Sequence, residues 1–323
     1  MHAVIETSDS SFLQHWNKLC ANDPVQNPIY MQQRADSHPA DDKLSPFTDR
    51  SFLLMSAEEP VFGCSLTLHR DEHGRKCIGY FGREASSHIN QASMNSASNN
   101  FMPEAIRLLQ AHINQLIEEI QPHAIDYLDP VSCGVMSPVT QVLLEKGATP
   151  VVQKVQVVDL SLGQRDMYRN MSKSCRGMVE WGRRNLEIEI VSGDHFDISL
   201  GDIAGTIKAD NALTLEAMIK KGNGFLVQGR YKNQLVSSSL FVHNNKTCHF
   251  VFADVFAEKS SDQLERPLLH APIWEAMLHG RNLQCSQFDF GNTSVTDSAS
   301  NSVFAASCFG GESRSRLRVT LDR

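Results

Sequence analysis

The sequence lacks an excess of basic residues: 30 Lys and Arg stand against 37 Asp and Glu, for a net charge of −7 over 323 residues. Because DNA-binding domains carry a strongly basic face, we expect no DNA partner. No apolar run approaches the roughly 18 residues of a membrane span. The first residues, MHAVIETSDSSFLQHW, lack the basic and apolar regions of a signal peptide. These absences predict a soluble cytoplasmic protein without a membrane span.

The sequence also has no C-x-x-C pair among its 8 cysteines. Scattered cysteines favour reduced, structural thiols over a disulfide framework. His69 and His73 have i,i+4 spacing, but they flank a predicted hairpin turn, so we expect no metal site. There is no G-x-x-x-x-G-K-[ST], no G-x-S-x-G and no strand-borne G-x-G-x-x-G. A permanently bound cofactor is therefore not predicted.

What the sequence does contain is a weak internal duplication. Residues 52–81 and 225–256 each show apolar alternation interrupted twice by turn residues, which predicts three antiparallel strands. An amphipathic helix follows in each half, at 101–120 and at 267–281. Each helix is followed by a short strand with an Asp near its middle, HAIDYLDP in the first half and SQFDFGN in the second.

This order predicts an α+β (mixed α/β) fold with two domains, 1–161 and 162–323, each a mixed twisted sheet flanked by helices. Two unrelated α/β domains would give a similar order of elements. A further helix is expected within 199–222. The Ser/Asn-rich segments 90–100 and 293–302 are expected to be loops.

Three segments of the second half carry a family resemblance: VVDLSLGQRDMYRNMSKSCRGMVEWGRRNLEIEIV, LLHAPIWEAMLHGRNLQCSQFDFGN and VFAASCFGGE. In this order they resemble the GNAT-superfamily acyltransferases, and more narrowly the FemAB-like branch with two GNAT-type domains in tandem. The resemblance implies an acyl-donor site in 162–323 and a degenerate copy in 1–161. The sequence departs from the family at Ala305, where a Lys is common, and it lacks the coiled-coil arm of the aminoacyl-tRNA-dependent members.

The resemblance implies that acyl-CoA binds where two parallel strands, HFVFADVF and SQFDFGN, separate. Backbone N–H groups near Ala253 and Val255 would then stabilise the oxyanion of the thioester. The free N–H groups and positive dipole at the start of the following helix would receive the pyrophosphate. The expected donor-binding residues there are Arg266, Leu268 and Leu269.

Four residues of this region are candidate catalytic groups: Asp254, His270, Asp289 and Asn292. Each has a structural alternative. Asp254 would also suit a solvated strand end, and His270 would suit the wall of a core or pocket. Asp289 alternates with two phenylalanines and has a counterpart in the first half, which favours an orienting or structural acid. Asn292 ends the strand, within reach of acceptor or CoA.

A basic helical segment suggests the acceptor. Lys173, Arg176 and Arg183 could contact a diphosphate and Trp181 could stack on a base or sugar; a solvated basic face around a core Trp is the alternative. We therefore predict an acyl-CoA-dependent N-acyltransferase that works by direct attack of an amine on the thioester. The expected acceptor is a nucleotide-linked amino sugar for surface polysaccharide synthesis, and the expected assembly is a monomer or homodimer. The alternatives are aminoacyl-tRNA-dependent transfer and a non-catalytic ligand-binding protein.

Overall fold

The computed structural model describes residues 2–19, 47–71, 73–79, 103–129, 136–192, 222–244, 246–256, 265–292 and 306–322. The expected helix within 199–222, up to residue 221, and both Ser/Asn-rich segments lie outside them. Contacts divide the chain into unit 1, residues 1–153 and 315–323, and unit 2, residues 154–314. The predicted division at 161 stays a prediction. The contact-defined units differ from it chiefly at the end of the chain, where residues 318–322 pair with a strand of unit 1.

Unit 1 has two sheets and three helices within its described part. Its elements are β1 His2–Glu6, α1 Phe12–Leu19, β2 Phe47–Asp49, β3 Phe52–Ser56, β4 Glu59–Cys64, β5 Thr67–Arg70, β6 Lys76–Gly79, α2 Pro103–Ile120, β7 Ala124–Leu128, α3 Pro138–Glu145, the start of β8 Thr149–Asp159 and the end of β14 Glu312–Asp322. One sheet has the order β1-β3-β4, and the other contains β2-β5-β6-β7-β14.

The sheet change falls in the middle of what the sequence predicts as one long strand. β4 and β5 are separated at Ser65–Leu66, and they belong to different sheets. The buried Ser51 hydroxyl accepts a hydrogen bond from the Leu66 N–H at 3.1 Å, and the Leu66 carbonyl accepts one from the Arg50 N–H at 2.8 Å. These bonds satisfy the backbone where the ladder stops, because a buried backbone group without a partner is costly.

The core of unit 1 forms under helix α2. Its buried residues recur at helical spacing; they are Ala105, Leu109, Ile113, Leu116, Ile117 and Ile120. They pack in one cluster with Phe52, Phe62 and Tyr127 from the strands. Helix α3 begins after the N-cap Ser137, whose hydroxyl accepts from the Thr140 N–H, and Gly147 at φ +89° follows its last turn.

Unit 2 has a single described sheet with helices. Its elements are the remainder of β8, α4 Gln164–Asn170, α5 Lys173–Asn185, β9 Glu187–Ser192, β10 Gly224–Tyr231, β11 Gln234–His243, β12 Thr247–Val255, α6 Glu265–Asn282, β13 Gln287–Asn292, a 3-10 turn Ala306–Phe309 and the start of β14. The strand order is β8-β13-β12-β11-β10-β9. β12 and β13 are parallel, and the other neighbours in this unit are antiparallel.

The two units repeat one arrangement. In unit 1, β6 and β7 pair in parallel and are joined through α2; in unit 2, β12 and β13 pair in parallel and are joined through α6. The predicted mixed α/β fold with duplicated units is confirmed. Among the described residues, no helix is both long enough and apolar enough to cross a membrane.

Two glycines of α5 test the packing of this helix against α6. A Cβ at the buried Gly182 would overlap the Cβ of Ala271, whereas a Cβ at the exposed Gly177 would meet nothing within 4 Å. We expect Gly182→Ala to lower the free energy of unfolding by about 1–3 kcal/mol, as overpacking does. Gly177→Ala is expected to raise it by about 0.5–1 kcal/mol, since Ala is the better helix former. Urea unfolding of both variants checks this pair; a stabilised Gly182→Ala protein would contradict the close approach of α5 and α6.

Candidate active site where two parallel strands diverge

The parallel strands β12 and β13 pair over a short length and then separate. The registered pairs are Thr247 with Gln287, Cys248 with Phe288, and His249 with Asp289. Beyond this point β12 continues along β11, and β13 continues along β8 to Asn292. The register of β12 against β11 also breaks here, between Phe250 and Phe252, so Val251 is an extra residue in the strand. A gap between the strands therefore opens directly after His249 and Asp289.

The backbone of β12 presents N–H groups to this gap. The Phe256 N–H donates to the Val236 carbonyl of β11 at 3.1 Å. Neighbouring residues of an antiparallel strand alternate in the direction of their N–H groups, so those of Val255 and Ala253 point away from β11. No β13 residue stands opposite either one in the described register. This orientation is the one that an oxyanion-binding amide needs.

An imidazole and a carboxylate lie at the point of divergence. His249 Nδ1 is 3.6 Å from Asp289 Oδ2, with the His249 side chain 16% and the Asp289 side chain 6% exposed. The other carboxylate oxygen, Oδ1, accepts a hydrogen bond from the Gly291 N–H at 2.7 Å. Gly291 has φ +76°, a conformation that other residues rarely adopt. Asp289 thus holds the turn at the end of β13 with one oxygen and faces His249 with the other.

Sequence reasoning identified Asp289 and missed His249. Both residues interrupt an apolar strand, Cys-His-Phe in β12 and Phe-Asp-Phe in β13. Aligning these two tripeptides in parallel register places His249 opposite Asp289. The structural role predicted for Asp289 fits its bond to Gly291, but its contact with His249 adds an orienting function that only the pairing of the strands reveals.

The corresponding position of unit 1 is built differently. Asp126 of β7 is the counterpart of Asp289, and its carboxylate accepts hydrogen bonds from Arg318, with Nε to Oδ1 at 2.9 Å and a second from Nη2. The register of β6 with β7, extended by one residue, places Gly79 opposite Asp126. Unit 1 therefore has a glycine where unit 2 has His249, and its acid is neutralised by an arginine.

Aromatic side chains form one wall beside the gap. Phe290 packs on Phe288 at a centroid distance of 4.8 Å, on Phe309 at 5.4 Å and on Phe250 at 6.4 Å. These rings belong to the core cluster of unit 2. Since Phe288 is in this core, the alternation of β13 places Asp289 on the opposite face of the sheet. The polar pair is accordingly separated from the aromatic layer.

Helix α6 begins at Glu265, two residues before the start predicted from the sequence. In the i to i−4 pattern, the Leu269 N–H bonds to the carbonyl of Glu265, inside the helix. The predicted helix start at 267 is therefore two residues too late, and the terminal N–H groups include those of Glu265 and Arg266. The prediction that Leu268 and Leu269 bind the donor stays a prediction. Pro267 within the first turn permits the earlier start, because a proline there loses no helical bond. The side chain of Arg266 lies outside the described residues.

A hydrogen bond from the sheet replaces the helical bond that a proline removes from α6. Pro272 is inside α6 and has no N–H to offer the carbonyl of Leu268, four residues earlier. The buried Ser237 hydroxyl of β11 donates to that carbonyl instead, at 3.1 Å. Gly229 of β10 leaves room for this contact, since a Cβ there would lie 2.6 Å from the Ser237 hydroxyl oxygen. The first turns of α6 are thus held by a hydrogen bond from the sheet.

The other predicted catalytic residues are spread around the gap. Asp254 is half-buried on β12, between Ala253 and Val255, which both pack against the core; alternation places its carboxylate on the face that His249 occupies. The backbone of Asn292 pairs with Val155 at the end of β13, and its side chain lies outside the described residues. His270 is 3% exposed on α6, with its ring stacked on Phe309 at 5.9 Å.

The basic residues of α5 do not converge. Lys173 is exposed at the helix start. Arg176 donates to the carbonyls of Arg169 and Met171, at 3.1 and 2.6 Å, and Arg183 pairs with Glu275 of α6 at 3.0 Å. Trp181 stacks on Tyr231 at 6.4 Å. Two of the three predicted diphosphate ligands are therefore held by protein groups, and the predicted contact with an acceptor stays untested.

A separate cavity of about 680 Å³ lies at the amino end of β13. Its lining includes Asp159, Gln287, Gly310, Gly311 and Arg314. Arg314 is 25% exposed and lies within 3.4 Å of Glu312 and 3.5 Å of Gln287. The strand gap opens at the opposite, carboxyl end of β13, so this cavity is distinct from the diverging strands.

The thiols of Cys175 and Cys308 lie close to His270. The ligand atoms of Cys175, His270 and Cys308 all lie within 4.8 Å of one another. A hydrogen bond from Cys175 and the neighbouring His270 lower the pKa of Cys308 to about 6, against the opposing effect of burial. The same hydrogen bond, together with burial, raises the pKa of Cys175.

No family model and no curated protein matches this chain. Solved structures do. FemX has a TM-score of 0.64 at 11% identity, with 97% of this chain and 96% of that chain covered. A tandem GNAT protein from the clavulanic acid biosynthesis pathway has a TM-score of 0.53 at 12% identity, with 100% and 98% covered. A GNAT-family acetyltransferase from Colwellia psychrerythraea has a TM-score of 0.51 at 11% identity, with 99% and 100% covered. The chain has the tandem GNAT fold of FemAB-like type.

Proposed function

We propose that this protein is an acyl-CoA-dependent N-acyltransferase whose active site is the strand gap of unit 2. The observation that carries the proposal is the His249–Asp289 pair at the point where β12 leaves β13. The pair places a proton acceptor beside an acid that faces it, at the point where the strand gap begins. Unit 1 has glycine at the equivalent position, which supports unit 2 as the catalytic half.

In the proposed reaction, the acceptor amine attacks the thioester carbonyl carbon of acyl-CoA. The new C–N bond forms, the C–S bond breaks, and the CoA thiolate leaves. His249 takes the proton that the amine loses and returns it to the thiolate, so no acyl-enzyme and no cysteine nucleophile are required. Asp289 holds the imidazole in place, and backbone amides of β12 stabilise the carbonyl oxygen as it becomes negative.

The distance along β12 between His249 and the candidate oxyanion-binding amides limits where His249 can accept a proton. At about 3.3 Å per residue, Ala253 lies roughly 13 Å along β12 from His249. Direct proton transfer needs a separation of about 3 Å. A carbonyl served by His249 would therefore lie beside the extra residue Val251. A carbonyl held at Ala253 or Val255 would lie next to Asp254, which is the second candidate base.

For the donor, we propose that the amino end of α6 receives the CoA pyrophosphate. Its terminal N–H groups and positive dipole favour an anion, and the Ser237–Leu268 bond holds the first turns of this helix against the sheet. For the acceptor, we propose a nucleotide-linked amino sugar, used for surface polysaccharide. Its support is the basic composition of α5, in which Lys173 is exposed at the helix start.

Calorimetry with CoA tests the donor assignment. We expect saturable heat with CoA or acetyl-CoA at millimolar or lower concentration. A protein without an acyl-CoA site would give no heat, which would overturn acyl-CoA-dependent transfer and leave the non-catalytic and the aminoacyl-tRNA-dependent alternatives. Arg281→Ala, an exposed change in the last turn of α6 and far from its amino end, serves as the matched control and should leave the heat unchanged.

A turnover assay separates the two kinds of donor. CoA thioesters and aminoacyl-tRNA are supplied in parallel to a panel of amino sugars, free and nucleotide-linked. The acylated sugar is measured with both donors, and the release of free CoA thiol is followed with the thioesters. Thiol release that depends on a nucleotide-linked amino sugar supports the proposal. Transfer from aminoacyl-tRNA alone would establish the aminoacyl-tRNA-dependent alternative instead.

A further inference from the structure

We propose that Cys175, His270 and Cys308 form a binding site for one soft divalent metal ion, with Zn²⁺ as the ion that their chemistry fits. The two sulfur atoms and the imidazole nitrogen all lie within 4.8 Å of one another. They come from three segments: the first turn of α5, the second turn of α6 and the 3-10 turn before β14. This site lies outside the proposed transferase chemistry, which needs no metal.

Hydrogen bonds and ring packing hold the three donors in place. The Ser172 N–H donates to the Cys308 carbonyl at 2.9 Å, and the Ser172 hydroxyl accepts from the Cys175 N–H at 3.1 Å. One residue therefore ties both cysteine backbones together. The His270 ring is stacked on Phe309, with an angle of 18° between the ring planes, and Phe309 is itself fully buried. Such support is what positions metal ligands before the ion arrives.

The donor set selects the class of ion. Thiolate and imidazole are ligands of Zn²⁺, whereas Mg²⁺ and Ca²⁺ require oxygen. Two thiolates and a neutral imidazole carry a charge of −2, which a divalent ion cancels. This neutrality matters because Cys175 is fully buried and His270 is 3% exposed. Three protein ligands leave a fourth tetrahedral position for water or another small ligand. Cys308 is partly exposed and offers a path of entry.

Cobalt titration of the full-length protein tests the site. The protein is treated with a chelator, reduced with a phosphine and titrated with Co²⁺, which replaces Zn²⁺ and reports thiolate ligation by charge-transfer absorption. We expect one equivalent of Co²⁺ to produce this absorption and one equivalent of Zn²⁺ to remove it. Cys308→Ser should lose about half of the absorption. His270→Gln should weaken the affinity by at least the roughly 10–100-fold that loss of a supporting partner costs.

Cys285→Ser is the matched control, because Cys285 is another buried cysteine of unit 2 whose Sγ lies 3.5 Å from the Asn244 carbonyl. It should bind Co²⁺ as the unchanged protein does. The proposal is overturned if the folded, reduced protein gives no charge-transfer absorption, or if the absorption survives in the Cys175→Ser/Cys308→Ser double variant. It is also overturned if His270→Gln binds as tightly as the unchanged protein, since a site of two sulfurs alone does not need the imidazole. None of these readouts depends on transferase activity.

Discussion

Replacement of His249 by Gln is expected to lower kcat/KM for acyl transfer by about 10²–10⁴-fold, the usual contribution of a positioned general base. Gln has a similar size and retains a polar end, so the fold at the strand junction should survive. The chemistry should not, because an amide cannot accept the amine proton. Steady-state kinetics with acetyl-CoA and the best amine acceptor measure the effect. Added imidazole should restore part of the lost rate in the variant and none in the unchanged protein.

Asp254→Asn is the comparison that locates the reacting carbonyl along the gap. Asp254 lies on the same strand face as His249, five residues further on. If the carbonyl lies beside Val251, Asp254→Asn should retain most of the rate. A large loss in Asp254→Asn with little loss in His249→Gln would move the reaction to Val255 and make Asp254 the base.

Asp289→Asn should keep much of its activity in the same kinetic assay, because an amide oxygen can still accept from the Gly291 N–H.

The second large effect is expected from Gly311→Ala, on stability. Gly311 has φ +86°, and a Cβ there would overlap the carbonyl oxygen of Val157 and lie 2.9 Å from the Val158 Cα. The conformation alone costs a residue with a side chain about 1–2 kcal/mol, and the overlap with backbone adds about 1–3 kcal/mol. We expect a loss of about 2–5 kcal/mol in the free energy of unfolding, measured by urea titration.

Gly222→Ala separates the two causes within the same unit. Gly222 has φ +78°, but a Cβ there would meet nothing within 4 Å. This variant should therefore lose only the conformational part, about 1–2 kcal/mol. Equal losses in the two variants would show that the close approach of Gly311 to β8 contributes nothing.

Much of the fold could be predicted because its signals are local. Turn residues and apolar alternation predict strands in 52–81 and 225–256, and helical periodicity predicts the helices at 101–120 and 267–281, where α2 and α6 lie. The separation of β4 from β5 could not be predicted in this way. It depends on the bonds of Ser51 and Arg50 to Leu66, which join residues 15 and 16 positions apart. A sheet change of this kind leaves the apolar alternation of the sequence intact, so the sequence around Ser65 and Leu66 does not indicate it.

The candidate site was predictable only in outline. The strand pair and the amides of Ala253 and Val255 follow from the family resemblance. His249 does not, because its importance arises from the register of two strands that are 40 residues apart in sequence. The basic residues of α5 show the reverse case: their charge is evident in the sequence, but the bonds of Arg176 and Arg183 to other protein groups are not.

Replacement of Gly79 by His would not by itself reproduce the His249–Asp289 pair in unit 1. A Cβ there would have ordinary clearance, with its nearest neighbour, the His69 Cε1, at 3.5 Å. A histidine transplanted into unit 1 would still find Asp126 already engaged by Arg318, so its imidazole would have no carboxylate to orient it. A His–Asp pair like that of unit 2 would therefore need two coordinated changes in unit 1, at 79 and at 318.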